Sequence, residues 1–243
     1  MFVEHEFVVG LSDINQLNEL SNTFFLRYLE DVAAFHSEIA GYGITDMKKT
    51  RKSWVLLSWR VEIKNRPLVN DTLKIKTWSR LIDKFYAFRD FEIKNQYDEV
   101  IAIASSKWIF VDIDKAKLVK VTDDVIEAYK QEDYGVFEEI DLPKLFEPNS
   151  YISEINFKIT RNMIDINKHL HNIYYLDIAK EVLPESVAFS NELNCFDVMY
   201  KKEIKLGENV KAFYTKQDDY HFVVIKNQEE TVTHAIIRLK ENV

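Results

Sequence analysis

Hydrophobic and polar side chains alternate along two neighbouring stretches in the first half of the chain. In residues 55–63 the alternating positions expected to be buried are Val55, Leu57, Trp59, Val61 and Ile63. In residues 73–77 the apolar or neutral positions alternate with lysines. A period of two residues is typical of an antiparallel strand with one buried face, so each stretch predicts a strand. Residues 100–111 form a longer and more apolar run, as expected for a central strand.

Helical spacing replaces this alternation in three places. Residues 21–40 repeat apolar side chains on one helical face, and Gly41 is the expected stop of that helix. A second helix is predicted over residues 173–183, before Pro184. A short third helix is expected at residues 122–131, inside a polar and acidic segment.

The chain repeats its own pattern. The tetrapeptide Ile-Lys-Asn-Gln occurs at residues 93–96 and again at 225–228, each time between two strand-like runs. Two further pairs of tripeptides correspond in the same order: Asp13-Ile14-Asn15 with Asp165-Ile166-Asn167, and Glu62-Ile63-Lys64 with Glu203-Ile204-Lys205. A helix followed by several antiparallel strands, present twice, is the element order of a hotdog unit. We therefore predict an α+β tandem double hotdog, in which each repeat is a long helix wrapped by a curved antiparallel sheet.

The repeat sets the expected domain boundaries. Residues 1–130 form the predicted N-terminal repeat and residues 151–243 the C-terminal repeat. Residues 131–150 are predicted to be a linker, because this segment is polar and contains Pro143 and Pro148.

Composition and charge restrict the function. With 243 residues and 47% hydrophobic residues, the chain can bury a sizeable core. Its net charge of −8 disfavours binding to nucleic acid or to an anionic membrane. No signal-like start, membrane-length apolar run or glycine-rich phosphate loop is found, and the single cysteine excludes an intrachain disulfide. We expect a cytoplasmic protein without a metal, another cofactor or membrane insertion.

Three polar residues precede the second helix. His169 can exchange protons near neutral pH, Asp165 can orient it or act as base or nucleophile, and Asn167 offers an amide. Backbone N–H groups at a helix start can also stabilise an oxyanion. These groups suit hydrolysis of an activated acyl compound. The same residues also fit an Asx-rich helix cap with a surface histidine, and their local spacing does not choose between the two.

The motif Asp165-x-Asn167-x-His169, followed by Asn172 and Tyr175, resembles the D-x-N-x-H-x-N-N-x-x-Y signature of acyl-acyl carrier protein thioesterases. The resemblance extends over nearly the whole chain. Other matching segments are Trp54–Arg60, Pro67, Thr77-Trp78, Arg89-Asp90-Phe91, Ser106-Lys107-Trp108, Leu183-Pro184 and Tyr200–Glu203. It implies a catalytic set of Asp165, Asn167, His169 and Glu203, with Glu203 on a later strand. Attack by water and attack by a carboxylate through an anhydride both remain open.

Two positions depart from that family pattern. His171 stands where the signature has its first asparagine, which puts substrate preference in question. Ile204 follows Glu203 where plant members often have a cysteine, so a cysteine nucleophile is excluded at that position.

The resemblance also implies substrate contacts. The first repeat keeps Asp13 and Asn15 but has Leu17 where the histidine would stand, so we expect it to hold the acyl chain instead. The predicted substrate-binding residues are Asn172, Tyr175, Phe25, Tyr28 and Trp54. The acyl carrier protein is acidic in this family, which makes the basic residues Lys48, Lys49, Arg51, Lys52, Lys201 and Lys202 docking candidates.

Other functions use the same fold. The alternatives are an acyl-CoA thioesterase with the same residues, a non-catalytic acyl-binding hotdog protein, and a dehydratase, which the residue pattern disfavours. A monomer and a homodimer are both compatible with the sequence, and acyl chain length and saturation are not predicted.

Overall fold

The computed structural model describes residues 1–190 and 193–240 of the chain. It consists of two compact units, Met1–Leu142 and Pro143–Val243. The boundary between them falls inside the segment 131–150 expected to be a linker. The predicted C-terminal repeat, 151–243, ends three residues beyond the described part of the chain.

The first unit is an antiparallel sheet with one long helix against it. Its elements are β1 (Phe2–Val8), α1 (Asn22–Ile39), α2 (Met47–Thr50), β2 (Lys52–Ile63), β3 (Thr72–Asp83), β4 (Tyr86–Lys94), β5 (Val100–Asp112), β6 (Lys117–Leu118) and α3 (Asp123–Tyr129). The strands lie in the order β1-β3-β4-β5-β2, and β6 pairs with β5. Helix α1 packs against β1 and β3. The Ser21 side chain caps it by accepting the N–H of Phe24.

The alternation in the first unit is confirmed in β3 and only partly in β2. Leu73 and Ile75 are fully buried, as predicted. In β2 the burial of Trp59 is also confirmed, but Val55 is 43% exposed. The pairing of β2 with β5 shifts register between Leu56 and Ser58. This β-bulge turns the earlier half of the strand over, so the predicted face is wrong for Val55.

The second unit repeats the arrangement with a shorter helix. Its elements are β7 (Ser153–Lys158), a 3₁₀ turn (Arg161–Met163), α4 (Tyr174–Val182), α5 (Glu185–Ala188), β8 (Cys195–Tyr200), β9 (Asn209–Gln217), β10 (Tyr220–Asn227) and β11 (Thr233–Lys240). The strands lie in the order β8-β11-β10-β9-β7. Read from β7, this is the same connectivity as β1-β3-β4-β5-β2.

The repeated tetrapeptide marks the same hairpin in both units. Asn95 donates its N–H to the carbonyl of Glu99, and Asn227 donates its N–H to the carbonyl of Val232, each at 3.0 Å. The two asparagine side chains also accept the N–H of those partners. The match at residues 93–96 and 225–228 therefore reflects equivalent turns, between β4 and β5 and between β10 and β11.

Candidate active site

The carboxylate of Asp165 organises the turn that precedes α4. Its Oδ1 accepts the backbone N–H of Asn167 at 2.8 Å and that of His169 at 3.1 Å. Its Oδ2 accepts the side-chain amide of Asn167 at 3.2 Å. Lys168 completes the turn in the left-handed region, with φ of 67°. The residues thus do form an Asx-type turn, and their chemistry depends on what lies beside it.

The segment after β8 lies directly against this turn. Leu170 donates its N–H to the carbonyl of Ile204 at 2.8 Å, and His169 forms a β-bridge with Lys205. Lys205 therefore faces His169, and Glu203 precedes Lys205 by two residues on the segment that lies against the turn. The expectation that Glu203 lies on a strand is wrong, because it is an exposed residue in the loop between β8 and β9. His169 is half-buried.

Two tyrosines connect the turn to β8. The Tyr200 hydroxyl donates to the carbonyl of Asn172 at 3.0 Å. The ring of Tyr175 meets the ring of Tyr200 edge-on, with centroids 5.1 Å apart. Burial and then the negative charges of Glu203, Glu208 and Asp165 raise the pKa of Tyr175. Its phenol is therefore protonated at neutral pH and available as a donor.

The same turn occurs in the first unit with different side chains. Asn15 Oδ1 accepts the N–H of Leu17 at 2.8 Å and that of Glu19 at 3.1 Å. Asn18 has φ of 68°, as Lys168 has 67° in the second unit. Asn15 therefore corresponds to Asp165, and Glu19 to His169. The predicted pairing of Asp13 with Asp165 is wrong by two residues, and Leu17 corresponds to Asn167.

A second pair of equivalent bonds identifies the residue of the first repeat that corresponds to Glu203. Leu20 donates its N–H to the carbonyl of Pro67 at 2.8 Å, as Leu170 does to Ile204. Arg66 therefore occupies the position of Glu203, and the predicted pairing of Glu62 with Glu203 is wrong.

Arg66 binds groups of its own unit. Its guanidinium donates to the Leu20 carbonyl at 2.9 Å and to Asn22 Oδ1 at 2.7 Å. Burial lowers the pKa of Arg66 to about 10. The first repeat thus has Arg66 at the position of Glu203, and Glu19 at the position of His169.

The predicted acyl-binding residues of the first unit lie in two places. Phe25 and Tyr28 are buried on α1. The Tyr28 hydroxyl donates to Asp13 Oδ2 at 2.6 Å, and its ring stacks on Phe7 at 4.5 Å. Trp54 is half-buried in a separate cluster around Phe110, to which neither Phe25 nor Tyr28 belongs.

The basic residues proposed from the sequence differ in availability. Lys48 and Lys49 are exposed on α2. Arg51 donates from Nε to Asp114 at 2.8 Å, and the Lys52 ammonium lies 5.6 Å from the centre of the Phe110 ring.

The second pair of basic residues immediately precedes Glu203 in the chain. Lys201 and Lys202 are exposed, and their backbone N–H groups both donate to the carbonyl of His234, at 2.8 and 3.3 Å. These contacts fix the start of the loop that leads to Glu203.

Comparison with known proteins decides the family. The sequence matches the acyl-ACP thioesterase N-terminal domain over residues 2–129 and the acyl-ACP thioesterase C-terminal domain over residues 147–242. The chain belongs to the acyl-ACP thioesterase family. The predicted resemblance is confirmed.

Curated relatives in this thioesterase family are identical to this chain at about a quarter of the aligned residues. Oleoyl-acyl carrier protein thioesterase 1 of Arabidopsis thaliana is 28% identical over 231 residues, which cover 88% of this chain and 62% of that protein. Palmitoyl-acyl carrier protein thioesterase of Cuphea hookeriana is 28% identical over 190 residues, covering 73% of this chain and 46% of that protein. The chain thus matches less than two thirds of the length of both relatives.

Solved thioesterase structures share the fold. An acyl-ACP thioesterase from Bacteroides thetaiotaomicron gives a TM-score of 0.88 at 18% identity, covering 99% of this chain and 98% of that one. The 12:0-ACP thioesterase from Umbellularia californica gives 0.88 at 16% identity, covering 99% and 97%. The predicted α+β tandem double hotdog is confirmed.

One residue near the thioesterase signature was not found by sequence analysis. Glu208 accepts the N–H of Lys205 at 3.0 Å, as Asp71 accepts the N–H of Leu68 at 2.8 Å in the first unit. Its charge also contributes to the raised pKa of Tyr175. Alignment of the two repeats on Pro67 and Ile204 would have revealed it.

Within residues 1–190 and 193–240, no cluster of three or more His, Cys, Asp or Glu side chains is placed to hold a metal ion. No helix in those ranges is long and apolar enough to cross a membrane.

Proposed function

We propose that this protein hydrolyses the thioester of fatty acyl-acyl carrier protein, releasing free fatty acid and ending chain elongation. The proposal rests on one observation above the others. The bond from Leu170 to Ile204 and the bridge from His169 to Lys205 bring the segments of His169 and Glu203 together. Membership of the thioesterase family supports the same reaction.

The hydrogen bonds of Asp165 favour attack by water over an anhydride. Both of its carboxylate oxygens accept N–H groups of the turn, which lowers their nucleophilicity. Glu203 is exposed and lies two residues before Lys205, the bridge partner of His169, so we assign its carboxylate as the base for a water molecule. Asp165 in this scheme holds the turn and orients Asn167.

Proton transfers complete the hydrolysis. Glu203 takes a proton from water as the water oxygen bonds to the thioester carbonyl carbon. The Asn167 amide donates one N–H to Asp165 and has a second to offer to the carbonyl oxygen as negative charge develops there. As the C–S bond breaks, protonated His169 gives its proton to the leaving thiolate. The proton on Glu203 then returns to His169 through solvent, and the products are a carboxylic acid and a thiol.

The first repeat is proposed to hold the acyl chain along the buried face of α1. Phe25 and Tyr28 lie on that face, and Trp54 lies beyond its carboxyl end, where His36 and Trp54 both pack on Tyr129. Apolar burial of a fatty chain against such side chains contributes about 0.8 kcal/mol per methylene group.

Carrier docking is proposed at two exposed lysine pairs. Lys48 and Lys49 lie on α2, and Lys201 and Lys202 precede Glu203. Arg51 and Lys52 contribute less, because Asp114 and the Phe110 ring already engage them. An acidic carrier that docks on Lys201 and Lys202 would deliver its thioester beside Glu203.

Thiol release from a panel of acyl-acyl carrier proteins and acyl-CoA thioesters tests the function. We expect wild type to favour the carrier-bound substrates, and His169→Ala and Glu203→Gln to lose about 10²-fold or more in kcat. Glu19→Gln, at the position of His169 in the first repeat, is the matched control and should retain activity. Equal rates on coenzyme A substrates would favour the acyl-CoA alternative. No release from any substrate by folded wild type would leave only acyl binding.

A further inference from the structure

Equivalent positions near the start of β5 and of β11 hold the chain as it leaves the neighbouring strand. In the first unit the backbone N–H groups of Lys64 and Asn65 both donate to the carbonyl of Ile101, at 2.7 and 3.1 Å. In the second unit the carbonyl of His234 accepts the same pair of bonds, at 2.8 and 3.3 Å, from the two residues before Glu203. Ile101 and His234 therefore occupy equivalent positions in the two repeats.

The two equivalent side chains differ in what they add to the fold. Ile101 is 2% exposed and His234 is 4% exposed, so an aliphatic side chain satisfies the packing at this position. The imidazole of His234 leaves Nε2 buried, and this atom has no hydrogen-bond partner within residues 1–190 and 193–240. A buried polar atom without a partner costs free energy. Packing therefore favours isoleucine here, and the histidine needs another explanation.

The other ring nitrogen of His234 makes a bond that isoleucine cannot make. His234 Nδ1 lies 3.1 Å from the carbonyl oxygen of Lys202. A carbonyl oxygen can only accept a hydrogen bond, so Nδ1 carries the proton and donates it. Since the N–H of Lys202 donates to the His234 carbonyl, both backbone polar groups of Lys202 are bound by this one histidine.

The bond from His234 acts on the peptide group that leads into Glu203. The carbonyl of Lys202 and the N–H and Cα of Glu203 lie in one plane, because the peptide bond is rigid. On the other side of Glu203, the carbonyl of Ile204 accepts the N–H of Leu170 at 2.8 Å. The backbone of Glu203 is therefore held through both of its neighbours, although its side chain is exposed.

We propose that His234 is a positioning residue, whose Nδ1–H bond to the Lys202 carbonyl fixes the peptide that leads into Glu203 and thereby sets where its carboxylate can reach. The inference rests on the proposed hydrolysis, in which Glu203 takes a proton from water. Without this bond the loop would keep its backbone contacts to β11 but lose the restraint on the carbonyl beside Glu203. A displacement of about 1 Å from the productive geometry can slow an enzyme about 10²-fold.

Three substitutions of His234 test the inference. His234→Ile introduces the residue of the first repeat, and we expect kcat on acyl-acyl carrier protein to fall about 10-fold to 100-fold with KM unchanged. The melting temperature should stay within about 4 °C of wild type. His234→Asn should recover most of the lost kcat, because its amide nitrogen, like Nδ1, is bonded to Cγ and can donate to the same carbonyl. His234→Gln should not, because its amide lies one atom further out, where Nε2 stands.

Two comparisons make the result decisive. Ile101→Val alters packing at the equivalent position of the first repeat and should leave kcat unchanged. If His234 acts through Glu203, His234→Ile should not slow the Glu203→Gln enzyme further.

Unchanged kcat in His234→Ile, or no recovery in His234→Asn, would overturn the inference while wild-type activity still supported the proposed hydrolysis. A rise in KM alone would also overturn it, because the bond would then serve carrier docking through Lys202. An inactive, folded wild type would overturn both the inference and the proposed hydrolysis.

Discussion

Arg89 donates from Nη1 to Nδ1 of His36 across 2.8 Å in the interior of the first unit. Both residues are buried, with exposures of 6% and 0%. Burial and then the positive charge of Arg89 lower the pKa of His36 to about 3. The imidazole is therefore neutral at physiological pH. Because the guanidinium can only donate, Nδ1 accepts and the proton of His36 resides on Nε2.

This pair should make the stability of the protein sensitive to acid. In the unfolded chain His36 binds a proton with a pKa of about 6.5, whereas in the folded protein it does so only near pH 3. The unfolded state binds more protons between these values, so the free energy of unfolding falls as pH drops through that window. We expect His36→Gln to lose less stability than wild type between pH 6.5 and 4.

Urea unfolding at several pH values measures this effect. His5→Gln is the control, because His5 is exposed on β1 and its replacement should leave the wild-type pH dependence unchanged. Parallel curves for wild type and His36→Gln would show that His36 does not contribute to the acid sensitivity.

Asp165→Asn should lower the rate of hydrolysis while leaving the fold of the turn intact. Asn15 makes the equivalent two backbone bonds in the first repeat, so we expect the melting temperature to stay within about 3 °C of wild type. The new amide would face the Asn167 amide donor to donor, and the negative charge near His169 would be lost. Hydrolysis should therefore fall about 10-fold or more.

Asp165→Ala is the companion variant, since it removes both acceptor oxygens and should lower activity and melting temperature together. Full activity in Asp165→Asn would mean that the turn alone, without the carboxylate, meets the needs of catalysis.

Charge reversal tests the docking surfaces. Lys201→Glu with Lys202→Glu, and separately Lys48→Glu with Lys49→Glu, should raise KM for the carrier-bound substrate more than they change kcat. They should also weaken its salt dependence, because surface attraction is screened over about 10 Å at 0.1 M salt. Lys158→Glu, on an exposed residue at the end of β7, should have little effect.

A short acyl-pantetheine substrate, which lacks the carrier protein, should show none of these KM changes. An equal KM increase on that substrate would place the lysines in the active site instead of a docking surface.

Arg66→Met should lower the stability of the first unit without lowering the rate of hydrolysis. The change preserves most of the apolar stem but removes the bonds to the Leu20 carbonyl and Asn22. We expect a loss of about 1–3 kcal/mol in the free energy of unfolding, with kcat retained. Arg27→Met, on the exposed side of α1, is the control. A free energy of unfolding equal to that of wild type would show that these bonds add no net stability.

Sequence patterns predicted the elements and the repeat because both depend on local periodicity. The bounds of α1 and α4 differ from the predicted helices by about a residue at each end. The face of Val55 was wrong because a one-residue bulge leaves no mark on composition. The alignment of Asp13 with Asp165 was wrong for a different reason. It matched side chains, whereas the two turns are equivalent through backbone bonds to Pro67 and Ile204, which are distant in sequence.

The proposed catalytic positions were predicted as a motif, but their arrangement was not. Sequence alone left Asp165 as cap, base or nucleophile, and only its hydrogen bonds assign it to the turn. The neighbourhood of Glu203 depends on the segment after β8 folding back on Leu170, which no local pattern reports.

The turn shared by Asn15 and Asp165 has a consequence for how this fold can change. Folding there requires a single side-chain oxygen, and a carboxamide supplies it as well as a carboxylate does. The second oxygen of Asp165 accepts the side-chain amide of Asn167 instead of a backbone N–H, so the backbone of the turn does not depend on it. A gene duplication that doubled such a unit would have let one copy acquire reactivity while the other lost it, since neither change disturbs the scaffold on which both depend.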